Sequence, residues 1–436
     1  MAGALAGIRV IDFTEYIAGP YCTMMLADMG ADVVKVERPE GDTWRHTAPL
    51  APYESRGYLG VNRGKRSIAL DLEKQKGRDI ARELAAGADV VVANYRPGVA
   101  QRLGLDYESL RTGNEALIYC ENSAFGDEGP YSGRPGYDIL SQAATGMILY
   151  ENKVERGVPQ FVSTIAVADL TTAMFMAFAI ANALYARTAS GTGQLIRTSL
   201  FASGLAAQYR PLLSVEQRDA APRAGFLGAL AEARKGGLTY EEASKLKEEY
   251  IAPRGRNSYY RVYQTKDGLI AVACLNNRRR RKLRDALGIE DPSVEGMSYD
   301  WFSEEVRRAH SAAREAFHDG FASRATDELV ALLDAADVPC NRVNFPEEMY
   351  DDAHVDANGL MLELDHPVLG PIRMPACPID MSGTPAGTTK PPPALGVDGP
   401  DLLRELGYDE AAIEGLLDAG VLHTRERLLE RDGGEG

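Results

Sequence analysis

Cysteine and histidine are scarce in this sequence, whose 436 residues include five cysteines and six histidines. The cysteines lie far apart and never form a C-x-x-C pair, which argues against both a disulfide framework and a cysteine-bound zinc. Histidine pairs of the H-x-x-x-H kind are missing too, so we predict no metal site. Scattered, reduced thiols are typical of cytoplasmic proteins, and we expect that location. The five cysteines are Cys22, Cys120, Cys274, Cys340 and Cys377.

Basic charge is in deficit, with 48 lysines and arginines against 63 aspartates and glutamates and a net charge of −15. A general nucleic-acid binder usually carries the opposite sign, so we predict no nucleic-acid partner. The most basic run, RRRRK at 278–282, has the composition of a solvated helix face.

Hydrophobic runs of clear membrane length are missing as well. The longest uncharged stretch, 170–186, contains Asn182 and is flanked by Asp169 and Arg187. Its length is marginal for a membrane span, and its composition predicts a buried helix. Residues 1–7 have neither the basic nor the apolar segment of a signal peptide. We therefore expect no membrane association.

The composition is that of a globular protein, with 45% hydrophobic and 25% charged residues, and the length suits two or three domains. Over the first 125 residues, strand-like runs alternate with helical segments, which predicts an α/β fold with right-handed βαβ units and a mostly parallel sheet. Because the strands are apolar throughout, we expect both faces of the sheet to be covered. The predicted strands are 8–13, 32–37, 89–93 and 116–121, and the predicted helices are 21–29 and 76–86.

The remaining chain changes character several times. Two polar or Pro/Gly-rich stretches predict linkers, and a Lys-Asp-Gly turn at 266–268 predicts a hairpin. The predicted segments are a helix at 170–186, a strand at 194–200, a linker at 208–257, the hairpin at 259–274, a helical segment at 301–334, a linker at 383–393 and two short helices at 402–422.

The common catalytic signatures (G-x-G-x-x-G after a strand, Walker A, G-x-S-x-G, H-E-x-x-H) do not occur in the sequence. Instead, Gly- and Pro-rich loops that carry arginines follow several predicted strands. Since the carboxyl ends of parallel strands meet at one edge of the sheet, we expect Arg38, Arg96 and Arg102 to cluster there. Guanidinium groups and loop amides bind phosphate, which favours an anionic, nucleotide-like ligand. The alternative is that each arginine only forms a surface ion pair.

Asp169 is the second candidate residue, because it comes immediately before the predicted apolar helix. Aspartate is a favoured N-cap residue, so helix capping alone would explain it. The alternative is chemical: the helix dipole would keep the carboxylate ionised, and an ionised carboxylate can attack an activated acyl group.

Eight segments, which together span most of the chain, carry a resemblance to a known family. They are GIRVIDFTEYIAGP at 7–20, LADMGADVVKVERPEG at 26–41, NRGKRSIALDL at 62–72, NYRPGVAQRLGL at 94–105, FGDEGPYSGRPGYD at 125–138, ADL at 168–170, YRVYQTKDG at 260–268 and DHPVLG at 365–370. In these segments the sequence resembles the class III coenzyme A transferases, the family of formyl-CoA transferase and the carnitine and bile-acid CoA transferases. The α-methylacyl-CoA racemases are close relatives of that family.

The resemblance implies a transfer of CoA from an acyl-CoA donor to a free carboxylic acid, with Asp169 as the catalytic residue. The implied intermediates are an aspartyl anhydride and an aspartyl-CoA thioester. CoA is then a substrate, and no tightly bound cofactor is expected. An anhydride must be protected from water, so a closable loop over the site is also expected.

The same resemblance assigns the binding residues. The turn at Tyr16, Ile17 and Ala18 corresponds to the loop over the thioester, and Tyr137 and Asp138 form the aromatic and acidic pair beside it. Some relatives have glutamine where Ile17 stands, and isoleucine lacks a side chain that forms hydrogen bonds. The implied CoA contacts are the phosphate-binding cations Arg38 and Arg102 and the adenine and ribose segments Leu70, Asp71, Leu72, Glu73, Asn94 and Tyr95, with Arg96 beside them.

Several alternatives stay open at this point. A racemase would need a histidine where Tyr137 stands; a tyrosine phenol has a pKa of about 10 against about 6.5 for histidine, which favours transfer over α-proton chemistry. CoA binding without chemistry and a requirement for a second, different subunit are the other possibilities. A glycine-rich loop of the formyl-CoA enzymes is replaced by PRGRNSY at 253–259, where Arg254 or Arg256 would either meet an acidic acyl group or lie exposed in a linker.

For the fold, the resemblance implies a Rossmann-like large domain built from both chain ends and a smaller inserted α+β domain. Two such chains interlock as rings in a homodimer. The predicted boundaries are 1–207 for the first part of the large domain, 208–257 and 336–357 for linkers, 258–335 for the small domain and 358–436 for the return to the large domain.

Overall fold

The computed structural model describes residues 2–150, 153–155, 158–160, 165–251, 258–291 and 304–433. The chain divides into two compact units. The first combines Met1–Leu213 with Asp356–Gly436, and the second is Ser214–Val355. Two helices within the stretch predicted as the first linker therefore group with the second unit.

The strands, numbered in chain order, are β1 Arg9–Phe13, β2 Asp32–Glu37, β3 Pro49–Ala51, β4 Glu54–Ser55, β5 Arg66–Leu70, β6 Val90–Ala93, β7 Ile118–Ser123, β8 Val154–Glu155, β9 Val158–Pro159, β10 Leu195–Ser199, β11 Tyr260–Gln264, β12 Leu269–Ala273, β13 Cys340–Arg342, β14 Met361–His366, β15 Gly370–Pro375 and β16 Leu422–His423.

The helices are α1 Ala18–Asp28, α2 Arg56–Leu59, α3 Gln75–Ala86, α4 Val99–Leu103, α5 Tyr107–Arg111, α6 Asp138–Ala144, α7 Val167–Ser190, α8 Leu200–Ala207, α9 Glu216–Lys235, α10 Tyr240–Tyr250, α11 Asn277–Leu287, α12 Glu304–Ala322, α13 Thr326–Ala335, α14 Ala353–Ala357, α15 Gly399–Glu405, α16 Glu410–Asp418 and α17 Arg425–Gly433.

The first unit is built on a seven-stranded sheet of order β10-β7-β6-β1-β2-β5-β16. Its strands are parallel except for β16, which runs antiparallel to β5. The predicted α/β class with a mostly parallel sheet is therefore confirmed. Strand β5 was missing from the prediction, although it lies directly between β2 and β16 in the sheet.

Alternate residues of the central strands bury themselves on opposite faces of the sheet, as a side-chain period of two requires. Val10 packs on one face in a cluster with residues of α1 and α7, and Ile11 packs on the other with residues of α3, α15 and α16. Each fully buried aliphatic side chain of this kind contributes about 1.5–3 kcal/mol relative to exposure. Both faces are covered, as the continuous apolar strands predict.

Among the described residues, α7 is the one helix long and apolar enough to cross a membrane. It packs into the sheet through Ala173, Met176 and Ile180, all fully buried. This contact accounts for the apolar side chains on the inner face of the helix. The burial that the sequence predicts does not extend all round the helix, because Phe178 and Tyr185 on its outer face are exposed.

The second unit contains the antiparallel hairpin β11–β12 with β13 beside it, packed on helices around Tyr263, Phe317 and Phe321. The predicted hairpin is present, and the described part of the predicted helical segment 301–334 contains two helices, α12 and α13. Helix α12 ends before α13 begins at Thr326, whose backbone N–H and hydroxyl donate hydrogen bonds to Asp267 Oδ1. The first N–H groups of a helix have no partner within the helix, and Asp267 accepts one of them at the start of α13.

Candidate active site

A cavity of about 810 Å³ lies in the first unit, where loops follow four neighbouring parallel strands. Glu15–Ala18 follow β1, Arg38 follows β2, Asn94–Pro97 follow β6, and Ala124 follows β7. Parallel strands present their carboxyl ends at one edge of a sheet, which is where open α/β folds bind ligands. The residues 134–139, Ala166 and Asp169 complete the wall.

Ten of the predicted site residues line this cavity together. They are Tyr16, Ile17, Ala18, Arg38, Asn94, Tyr95, Arg96, Tyr137, Asp138 and Asp169. The expected clustering of Arg38 and Arg96 at one rim is thus present.

The other predicted contacts lie elsewhere. Leu70 is fully buried at the end of β5, and Asp71 lines a second hollow of about 560 Å³. Leu72 and Glu73 follow in the turn after β5, the strand that pairs with β2 through Ala69 and Glu37. Arg102 lies exposed on α4, away from the cavity wall. Arg254 and Arg256 lie outside the described residues.

Asp169 does not precede α7, as the sequence predicts, but is the third residue of that helix. The helix N-terminus is capped from elsewhere in the chain. Asp138 Oδ1 accepts the backbone N–H of Ala168 at 2.7 Å and that of Asp169 at 3.2 Å. Asp138 thus performs the capping role that the sequence suggests for Asp169, and the Asp169 carboxylate is left at the cavity wall.

Burial, together with the negative charge of Asp138, raises the pKa of Asp169 to about 7. The expectation that the helix dipole keeps this carboxylate firmly ionised is therefore wrong. The main physical reason is burial of the carboxyl group, and the like charge of Asp138 adds to it. At neutral pH, Asp169 is present in both protonation states.

Tyr16 adopts a left-handed backbone conformation, with φ of 70°. Such a conformation is unfavourable for a residue with a side chain and persists where surrounding contacts hold it. Asp42 Oδ1 accepts the Tyr16 N–H at 3.2 Å, and the Tyr16 ring lies edge-on to Trp44 and to Tyr137, with centroids 5.9 and 5.3 Å away. The Tyr16 and Tyr137 hydroxyl oxygens are 3.4 Å apart. Aromatic contacts thus fix this side of the cavity.

Glu15 is a cavity residue that the sequence reasoning missed. Its carboxylate forms an ion pair with Arg38 at 2.9 Å, while Arg38 also donates to the Thr43 hydroxyl at 2.6 Å. Burial raises the pKa of Glu15. Asn94 exchanges two hydrogen bonds with the Glu15 backbone, so the loops after β1 and β6 are tied together.

Fully buried charges support the loop after β1 from below. Lys35 Nζ forms an ion pair with Asp42 at 3.0 Å and donates to the Thr14 carbonyl at 2.6 Å. Lys65 forms a second pair with Asp12 at 3.0 Å. Burial outweighs the attraction of Asp12 and lowers the pKa of Lys65 to about 8. The network positions the backbone from which Tyr16 projects.

Metal ligands do not gather at this site: across the ranges that the structure describes, no three His, Cys, Asp or Glu side chains are grouped so as to hold a metal ion. The wall offers three carboxyl groups, three phenols and three guanidinium groups. They belong to Glu15, Asp138 and Asp169, to Tyr16, Tyr95 and Tyr137, and to Arg38, Arg96 and Arg134.

Comparison with known proteins identifies the family. The model for CoA-transferase family III matches residues 5–399. Mouse succinyl-CoA:glutarate CoA-transferase is 32% identical over 97% of this chain and 91% of its own length, and succinyl-CoA:mesaconate CoA-transferase from Haloarcula hispanica is 31% identical over 99% and 100%. The crystal structure of a CAIB/BAIF family protein from Brucella suis superposes with a TM-score of 0.71 at 28% identity, covering 93% of this chain and 100% of that one. The chain therefore belongs to the family III CoA-transferases.

Proposed function

We propose that the chain moves CoA from an acyl-CoA donor to a free carboxylic acid, with Asp169 as the nucleophile. The observation that carries this proposal is the position of the Asp169 carboxylate in the cavity wall beside Tyr137 and Asp138. Within the described part of the chain, this carboxylate accepts no hydrogen bond and forms no ion pair. Its oxygens are therefore available to a substrate.

The donor half of the reaction has two steps. A carboxylate oxygen of Asp169 attacks the thioester carbonyl, the C–S bond breaks, CoA leaves as a thiolate, and an acyl–aspartyl anhydride remains. The thiolate then attacks the aspartyl carbonyl carbon. The acyl group leaves as its free carboxylate, and Asp169 now carries CoA as a thioester.

The acceptor half reverses these steps with the new acid. Its carboxylate attacks the aspartyl thioester, which releases the thiolate and forms a second anhydride. Attack of the thiolate on the acceptor carbonyl gives the new acyl-CoA and restores the Asp169 carboxylate. Every thioester or anhydride that breaks is replaced by another, so no ATP is required.

Charge and shape at the cavity suit these steps. The attack requires ionised Asp169, and its pKa of about 7 provides a substantial ionised fraction at neutral pH. Arg38 and Arg96 supply positive charge for the CoA phosphates. The aromatic wall of Tyr16, Trp44 and Tyr137 restricts water near the anhydride.

The names of several relatives support a substrate class. The succinyl, glutarate and mesaconate groups in their names are all derived from dicarboxylic acids. We propose dicarboxylic donors and acceptors for this chain as well, in the cytoplasm.

We also propose the homodimer, with interlocked chains, that the family resemblance implies. The outer face of α7 supports it, because Phe178 is 68% and Tyr185 80% exposed, with Met174 on the same helix also exposed. Contiguous apolar side chains on a surface are typical of protein interfaces. Light scattering after gel filtration should give twice the chain mass for the wild type, whereas a monomer would refute this part of the proposal.

Replacement of the nucleophile tests the chemistry. Asp169→Ala should lower transfer between succinyl-CoA and glutarate by at least about a thousandfold, while CoA binding measured by calorimetry survives. Glu108→Ala, which removes an exposed carboxylate that pairs with Arg111 on a surface helix, is the control and should keep full activity. Transfer by Asp169→Ala within tenfold of wild type would refute the assignment.

A further inference from the structure

The three guanidinium groups that line the cavity are not equivalent. Arg38 already forms an ion pair with Glu15 and a hydrogen bond with Thr43. Arg96 and Arg134 are both exposed, and among the described residues neither side chain has a carboxylate partner. Two cations are thus available to anionic groups of a bound substrate.

The two free cations belong to different walls. Arg96 follows β6, next to Tyr95 and beside the loop after β1, whose Glu15 forms the ion pair with Arg38. This wall carries the residues proposed to bind CoA. Arg134 lies instead on the loop between β7 and α6, four residues before Asp138, whose carboxylate bonds to the Asp169 backbone. Arg134 therefore lies on the loop that leads into Asp138, the residue that caps the helix carrying Asp169.

The position of the Arg134 guanidinium is supported by an aromatic platform. It lies over the Tyr131 ring, 4.5 Å from the centroid. Tyr131 in turn packs edge-on against Phe125 and Phe201, with centroids 5.7 and 6.3 Å away. A cation–π contact orients a guanidinium without neutralising it, so its N–H groups stay free for a carboxylate.

We propose that Arg134 binds the distal carboxylate of a dicarboxylic acyl group and of the acceptor acid, and so selects dicarboxylic over monocarboxylic substrates. This inference rests on the proposed function, because it places the acyl group next to Asp169. A planar guanidinium matches a carboxylate with two parallel hydrogen bonds, and an acyl chain that ends in a methyl group lacks that partner. Arg134 is thus a specificity-determining residue of the same cavity.

The test measures exchange of isotopic label between an acyl-CoA and its own free acid. One pair is succinyl-CoA with succinate and the other is butyryl-CoA with butyrate, which has a methyl group in place of the distal carboxylate. Wild type should prefer the succinyl pair in kcat/KM. Arg134→Gln should lower the succinyl-to-butyryl ratio about tenfold or more, mainly through KM. Arg134→Lys should restore part of that ratio, and the surface variant Arg111→Gln should leave it unchanged.

Each result separates this inference from the function on which it rests. A wild type that exchanges neither pair contradicts the proposed transferase reaction itself. A wild type that exchanges label but does not prefer succinyl-CoA overturns the role of Arg134 alone, as does an Arg134→Gln variant that changes both pairs equally or neither. Circular dichroism establishes whether the variants are folded. If Arg134→Gln does not fold, Arg134→Lys is used instead: a succinyl-to-butyryl ratio below that of wild type supports the role of Arg134, and an unchanged ratio overturns it.

Discussion

The Oδ1 atom of Asp138 lies 3.2 Å from the backbone nitrogen of Asp169 and accepts its N–H. The Asp138 carboxylate thereby caps α7, the helix that carries Asp169. The two carboxyl groups have different roles. Asp138 accepts hydrogen bonds from the helix start, whereas burial and the charge of Asp138 raise the pKa of Asp169. This relationship determines how the site should respond to pH and to mutation.

The rate of CoA transfer should rise with pH and level off above about pH 7. Asp169 attacks only when ionised, and its pKa of about 7 sets the midpoint. Asp138→Asn keeps an oxygen for capping but removes the like charge, so the midpoint should move to a lower pH. Profiles of kcat/KM for wild type, Asp138→Asn and the exposed control Glu108→Gln measure this. A midpoint that rises in Asp138→Asn contradicts the electrostatic account.

Removal of the Asp169 charge should stabilise the fold in a pH-dependent way. The folded pKa of about 7 exceeds the ordinary aspartate value of 3.8. The native state therefore binds more protons between these pH values and loses stability as the pH rises through that window. Asp169→Asn has no carboxyl group at this position, so it does not lose this stability as the pH rises. Its Tm should exceed that of wild type by an amount that grows from pH 4 to pH 7 and is constant above. Equal Tm differences at pH 4 and pH 8 would argue against a destabilised carboxylate.

The buried pair of Lys35 and Asp42 should be essential for stability. Both side chains are almost fully buried, so Lys35→Met leaves the Asp42 charge without compensation, at a cost of about 3–5 kcal/mol. Denaturant unfolding measures the difference. Lys245→Met, on the exposed face of α10, is the matched control and should leave the unfolding midpoint unchanged. A Lys35 variant as stable as this control would show that the network does not hold the loop.

Racemase chemistry should be absent. Tyr137 supplies a phenol where a two-base mechanism requires an imidazole, and a phenol is a poorer base for an α-proton near neutral pH. A 2-methylacyl-CoA incubated in D2O without an acceptor acid should therefore gain no deuterium at its α-carbon, as followed by mass spectrometry. Uptake of deuterium at a rate comparable to CoA transfer would favour the racemase alternative.

The sheet and the arginine-lined rim follow from local patterns. The valine-rich run at 32–37 coincides with β2, and the rule that parallel strands end at one edge brings Arg38 and Arg96 to the same cavity. These features are predictable because each depends on a short segment and a topological rule.

The other features depend on partners that are distant in sequence. Asp138 caps a helix that begins about thirty residues later, and nothing near Asp169 indicates that its amide is already occupied. From the sequence, Lys35 resembles a surface residue of a strand, but in the structure it is buried and forms an ion pair with Asp42. Strand β5 carries arginine and serine, and its pairing with β2 and β16 alone makes it an interior strand of the sheet. Contacts between charges or strands that are distant in the chain cannot be predicted from the local sequence pattern.

Intact-protein and peptide mass spectrometry after incubation with succinyl-CoA tests the central claim most directly. We predict an added mass of CoA less one water on the peptide that contains Asp169, which disappears when an acceptor acid is added and never forms in Asp169→Asn. A wild type that transfers CoA while Asp169 stays unmodified, or that carries the adduct on another residue, would contradict the account.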